Sequence, residues 1–202
     1  MSRAYGELNL TATSPPQGFT ELFTVDQVRA FLRIESPSPQ DSEEEAMLTS
    51  FIAAARQQAE IQQGRDIVEK QYDLTLDYFP SGDVELRHPL QSVDLVTYKD
   101  SDDVTTTLTE NTDYIVDTVR ALVMPPYGGT WPSFTPWPSG AVTVRFTSGD
   151  GAASEDVMNG MKFLIAHWHC HPESFELGAN AVQEFPFTVS ALLRSGARDK
   201  VG

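Results

Sequence analysis

A chain of 202 residues with 40% hydrophobic content is long enough for one full domain with extensions and can build a packed core. Twenty-nine acidic residues against 14 basic ones leave a net charge of −15, which argues against a grip on nucleic acid, because holding phosphates needs clustered cations. The single cysteine, Cys170, excludes an internal disulfide and fits a reducing compartment, and no apolar run approaches the about 18 residues of a membrane span.

Residues 1–20 read as an N-terminal arm. Met1 to Leu10 lacks the basic-then-apolar pattern of a signal peptide. Ser14-Pro15-Pro16-Gln17-Gly18 continues neither a helix nor a central strand. Thr24-Val25-Asp26-Gln27 has the form of a capping box, and Val25, Val28 and Leu32 follow at helical spacing. This predicts a first helix over about 25–34, stopped by Ser36-Pro37-Ser38-Pro39.

A second helix is predicted over about 42–63. Glu43, Glu44 and Glu45 fall in its first turn, where the helix dipole favours anions. Leu48, Phe51, Ile52, Ala55 and Ala59 form one apolar stripe, and Gly64 is suited to the left-handed end. Arg56 and Glu60, four apart, are expected to pair on the flank for a few tenths of a kcal/mol.

The period then changes from 3.6 to 2. Tyr72, Leu74, Leu76 and Tyr78 alternate with polar residues, as in a half-buried strand. Val84-Glu85-Leu86 reads as a short strand. Val93–Tyr98 with Val104–Leu108, and Tyr114–Val116 with Ala121–Met124, read as two hairpins around polar turns. After a loop rich in Pro, Gly and Trp, residues 125–140, Val142, Val144 and Phe146 form a last strand ended by Ser148-Gly149. The β insertion therefore spans about 70–148.

Ser154 caps a third helix, about 154–171, with Val157, Met161, Leu164, Ile165 and Trp168 as a stripe expected to pack on that of the second helix. The predicted class is α+β: helices bracketing a β-rich hairpin insertion, plus extended N- and C-terminal arms. The domain boundaries are 1–20, 21–178 and a C-terminal tail at 179–202. In that tail Arg194, Arg198 and Lys200 against Asp199 make residues 186–202 locally +2, so the remainder carries −17.

Catalytic motifs are weak. His167 and His171 share a helix face, but no His-Glu-x-x-His or paired-Cys motif supplies further ligands, so no metal and no other cofactor is expected. There is no Gly-x-Ser-x-Gly elbow and no phosphate-cradling loop. A small hydrolase using acidic residues or the histidines is the enzymatic alternative. Trp131 and Trp137 form a candidate contact loop, and a carbohydrate- or protein-binding module using them is the other alternative. The bland reading of those aromatics is a plug for the open end of a β element.

Ala54-Ala55-Arg56, Glu60, Gly64-Arg65, His88-Pro89-Leu90-Gln91-Ser92-Val93, Tyr98, Tyr114, Trp131-Pro132 and Val142-Thr143-Val144-Arg145-Phe146-Thr147-Ser148-Gly149 occur in an order that, with the closing helix, resembles head–tail connector (adaptor) proteins of long-tailed bacteriophages and gene transfer agents. The resemblance spans roughly Leu22 to Leu193. Asp150 departs from it, standing where an aromatic often follows the glycine, and the arm before Phe19 is longer than usual.

The resemblance implies a non-enzymatic virion protein of the head–tail interface, made in the bacterial host cytoplasm. It implies a small helical bundle with its β-rich insertion between the second and third main helices. Such subunits form a homo-oligomeric ring, usually dodecameric, below the portal protein and above the next connector or tail-terminator protein. DNA passes through the ring without specific binding. The C-terminal segment would dock on the portal, with Phe185, Phe187, Leu192 and Leu193 as apolar anchors and Arg194 and Arg198 as charge partners.

Overall fold

The computed structural model describes residues 7–9, 21–34, 41–171 and 187–195. The chain divides into two compact units, one of residues 1–19 and 68–150, the other of 20–67 and 151–202. Strands occupy the first and helices the second, so the class is α+β as expected.

Among the described residues, the sheet unit holds eight strands. They are β1 (Glu7–Asn9), β2 (Lys70–Leu76), β3 (Val84–Glu85), β4 (Leu90–Lys99), β5 (Thr105–Thr107), β6 (Ile115–Asp117), β7 (Leu122–Met124) and β8 (Val142–Ser148). Five form an antiparallel sheet in the order β1-β2-β8-β4-β5, and three form a second in the order β3-β7-β6. Both predicted hairpins are present, as the β4–β5 and β6–β7 pairs. The arm, read from its prolines as non-helical, contributes β1, which pairs with β2 in the register Glu7↔Thr75.

The two-residue period decides which face of the large sheet is buried. Tyr72, Leu74 and Leu76 of β2 lie opposite Phe146, Val144 and Val142 of β8, and all six are buried. Tyr72 and Phe146 stack with centroids 5.3 Å apart. On the other face, Asp73 accepts from Arg145 Nε at 2.7 Å and Nη2 at 2.8 Å, which holds the guanidinium above its ordinary pKa. Burial, reinforced by the negative charges of Glu110 and Asp94, likewise pushes the Tyr114 phenol up.

The helical unit contains α1 (Val25–Leu32), α2 (Asp41–Gln63), α3 (Glu155–Cys170) and α4 (Phe187–Leu193). The Thr24 capping box forms: Thr24 Oγ1 accepts from the Gln27 amide at 3.2 Å, and Gln27 Oε1 accepts from the Thr24 amide at 3.0 Å. Glu44, from the acidic first turn of α2, accepts from Arg29 of α1 at 3.3 Å. Gly64 ends α2 at φ +65°. Leu48, Phe51, Ile52, Ala55 and Ala59 of α2 and Val157, Met161, Leu164, Ile165 and Trp168 of α3 are all buried, and Phe51 meets Trp168 at 6.0 Å between centroids.

Two readings are corrected here. The Arg56–Glu60 pair is not on an exposed flank: the residues are 7% and 3% exposed. The segment before α1 and the chain leaving α2 both reach the pair, a tertiary arrangement that helical spacing does not encode. The chain after Gly178 is also not wholly an extended tail, because residues 187–193 are helical and dock in this unit.

Candidate functional site

The docked C-terminal helix is the most specific feature of the helical unit. Gly160 of α3 lies against it, and a methyl group there would approach Leu193 Cδ2 to 3.0 Å and Leu192 Cβ to 3.2 Å. This notch admits Leu193 to full burial, and Val189 is buried one turn earlier. Polar contacts close the end of α4. Gln63 Nε2 donates to the carbonyls of Leu193 at 2.5 Å and Ser195 at 3.0 Å, so orphan carbonyls at the helix end find a donor. Arg194 Nε donates to Gln62 Oε1 at 2.8 Å, and Ser195 Oγ to Asp156 Oδ2 at 2.7 Å.

The expected docking residues are thereby sorted. Leu193 and Arg194 are engaged within their own helical unit, Leu192 is half-buried, and Phe187 begins α4. Phe185 and Arg198 lie outside the described residues, as do Asp199 and Lys200. Gly160 adds nothing to an apolar stripe; a glycine inside a strongly apolar helix is itself the sequence signal for close approach by another element.

The helical unit also holds a largely buried ion cluster. Glu21 accepts from Arg56 Nε at 3.1 Å and Nη2 at 3.3 Å. Arg56 Nη1 donates to Glu60 Oε2 at 3.3 Å, and Glu60 Oε1 accepts from the Ile67 amide at 3.1 Å. One carboxylate thus balances a buried guanidinium and satisfies a buried backbone donor just past the helix end.

His167 and His171 line a groove of about 450 Å³ together with Phe163, Ala166, Cys170, Thr188 and Val189. His167 and His171 stack with centroids 5.1 Å apart. Among the described residues, no group of three or more His, Cys, Asp and Glu side chains is placed to hold a metal ion.

In the sheet unit, the tryptophan loop splits into core and surface. Trp131 is 9% exposed, stacks on Phe79 at 4.6 Å and 4°, and donates from Nε1 to the Gly82 carbonyl at 2.8 Å. It plugs the β core rather than offering a platform, which corrects its reading as a contact residue. Trp137 is 36% exposed and carries Lys99 Nζ 4.2 Å from its ring centroid. Trp131→Ala is therefore expected to cost about 3–5 kcal/mol in urea unfolding, as for other buried large aromatics, while Trp137→Ala costs under about 1 kcal/mol. Equal effects would remove the distinction.

No helix among the described residues is long and apolar enough to cross a membrane. No protein-family model matches the chain, and no curated protein matches it. Among solved structures, it is similar to a chain in the neck of an empty gene transfer agent (GTA) particle computed with C6 symmetry, at 22% identity and TM-score 0.70, covering 96% of this chain and 97% of that one. A chain in the virion of a native GTA particle matches at 22% identity and TM-score 0.66, covering 96% of each. A chain in the neck of a native GTA particle computed with C12 symmetry matches at 22% identity and TM-score 0.64, with 96% and 97% covered. At this identity the likeness establishes a shared fold.

Proposed function

We propose that the chain is a structural head–tail connector (adaptor) subunit, forming a ring below the portal protein and above the next connector or tail-terminator ring. The observation that carries this reading is the near full-length match to chains of GTA necks, whose assemblies were computed with C6 and C12 symmetry. A dodecamer fits both symmetries. The helical unit supplies the bundle of such a connector, and residues 68–150 of the sheet unit are its insertion between α2 and α3.

The net charge of −15 fits a channel wall that DNA must pass without stopping, because a cationic bore would condense on phosphates. Partner docking falls to the C-terminal tail from Phe185 onward. Its residues beyond α4 keep Arg198 and Lys200, so charge pairing with an acidic groove on the portal does not depend on Arg194. No catalytic step is assigned.

Electron microscopy of particles labelled on this chain is expected to place the label in a ring between head and tail. Its absence from mature particles would end the connector reading. Deleting residues 185–202 is expected to leave the helical signal in circular dichroism largely intact and to reduce portal attachment to background. Full-strength attachment by the truncated chain would exclude the tail as the docking element.

A further inference from the structure

In the sheet unit, a cleft of about 450 Å³ opens between the turn that follows β2 and the loop that follows β7. Its walls are aromatic rings and four prolines. The rings are fixed by their own packing. Phe79 stacks on Trp131 and meets Phe134 edge-on at 6.1 Å, and Phe134 packs on Tyr98 at 4.4 Å. Trp131, committed to Phe79 and the Gly82 carbonyl, is a wall; the accessible ring is Tyr78, which is 49% exposed. Next to the lining residues Pro125 and Gly129, a turn closed by the Gly129 amide on the Pro126 carbonyl at 2.8 Å leaves Tyr127 fully exposed. Exposed tyrosines at a rigid apolar cleft are what a recognition surface presents.

The polar groups select the occupant. Tyr78, Ser81, Thr130 and Ser133 bring hydroxyls that can each donate, and among the described residues lining the cleft none is charged. A run of prolines is the converse: apolar rings, and carbonyls that accept with no backbone N–H to satisfy. Around the cleft the field is negative. Residues 68–150 hold 13 acidic and 5 basic residues, net −8, and three of the basic ones are paired: Lys99 with Asp103, Arg120 with Asp117 and Arg145 with Asp73. Asp77 and Asp83, both exposed, bracket the lining segment 78–81. We propose that this cleft docks a proline-rich, basic segment of another protein in the polyproline II form, its prolines against Tyr78 and its flanking cations beside Asp77 and Asp83. The inference goes beyond the connector reading and does not depend on it, so either can fail without the other.

Fluorescence anisotropy tests this with the full-length chain and a labelled peptide, Arg-Arg-Pro-Pro-Leu-Pro-Pro-Leu-Pro. Saturable binding is expected. Tyr78→Ala, at a half-exposed position, should weaken it at least about tenfold while thermal unfolding stays near that of the unaltered chain. Asp83→Lys, outside the cleft lining, should weaken it about threefold or more at low salt, and less as salt is raised. A peptide with the same arginines but alanine in place of every proline should bind at least about tenfold more weakly. Absence of saturable binding, an unchanged affinity in Tyr78→Ala, or equal binding of the alanine peptide would each overturn the proposal. So would tighter binding of a peptide of residues 10–20, which carries Pro15-Pro16 without a charge and would make the chain's own arm the occupant.

Discussion

Gly149→Ala is expected to be the most damaging glycine-to-alanine change among the described residues, eliminating soluble protein or costing more than about 4 kcal/mol. Gly149 follows β8 at φ +102°, where L side chains are rarely found. Its added Cβ would run into the Val68 carbonyl and stand 2.8 Å from the Glu69 nitrogen. Both are backbone atoms, so no rotamer change relieves the collision, and the Gly149 amide is itself held by the Pro89 carbonyl at 2.9 Å. Gly151→Ala is the control: Gly151 also has positive φ, +71°, but nothing lies within 4 Å of its Cβ position. That variant should cost only the left-handed penalty of about 1–2 kcal/mol. Soluble yield and thermal unfolding separate the two, and a Gly149→Ala protein as stable as Gly151→Ala would refute the steric account.

The second large effect concerns Arg56. Arg56→Ala removes the guanidinium that Glu21 and Glu60 share in the helical unit, and losing one partner of a buried pair costs about 3–5 kcal/mol. With a slope of roughly 2–3 kcal/mol/M, the urea midpoint followed by helical circular dichroism should fall by about 1–2 M. Adding Glu60→Gln to that variant should recover part of the loss, because the amide is neutral and its oxygen still accepts from the Ile67 amide. If the double variant is no more stable than the single one, uncompensated charge is not the source of the damage. The pair was expected to be worth only a few tenths of a kcal/mol; the difference is one of burial, since its hydrogen-bond partners Glu21 and Ile67 lie outside α2.

Local order is legible in the amino-acid sequence. Two signals have short range: the repeat of apolar residues at 3.6 or 2, and the chemistry of caps and turns. These located α1, α2, α3, both hairpins, the glycine that ends α2 and the alternation that buries Tyr72, Leu74, Leu76, Val142, Val144 and Phe146. The motif order also carried the resemblance to connector proteins of bacteriophages and gene transfer agents, and solved structures that share the fold are chains of GTA particles.

Which local features meet is set by the packed fold. Seven-residue α4 is too short for a decisive periodicity, and its residence depends on Gly160, Gln62, Gln63 and Asp156, all distant in sequence. Trp131 and Trp137 look alike as Trp-Pro pairs, yet one is stacked on Phe79 in the core and the other is open to solvent. Burial is a property of what the rest of the chain brings to a residue. It sets the electrostatic worth of Arg56, the steric intolerance of Gly149 and the availability of Leu193, none of which a neighbouring residue in sequence can encode.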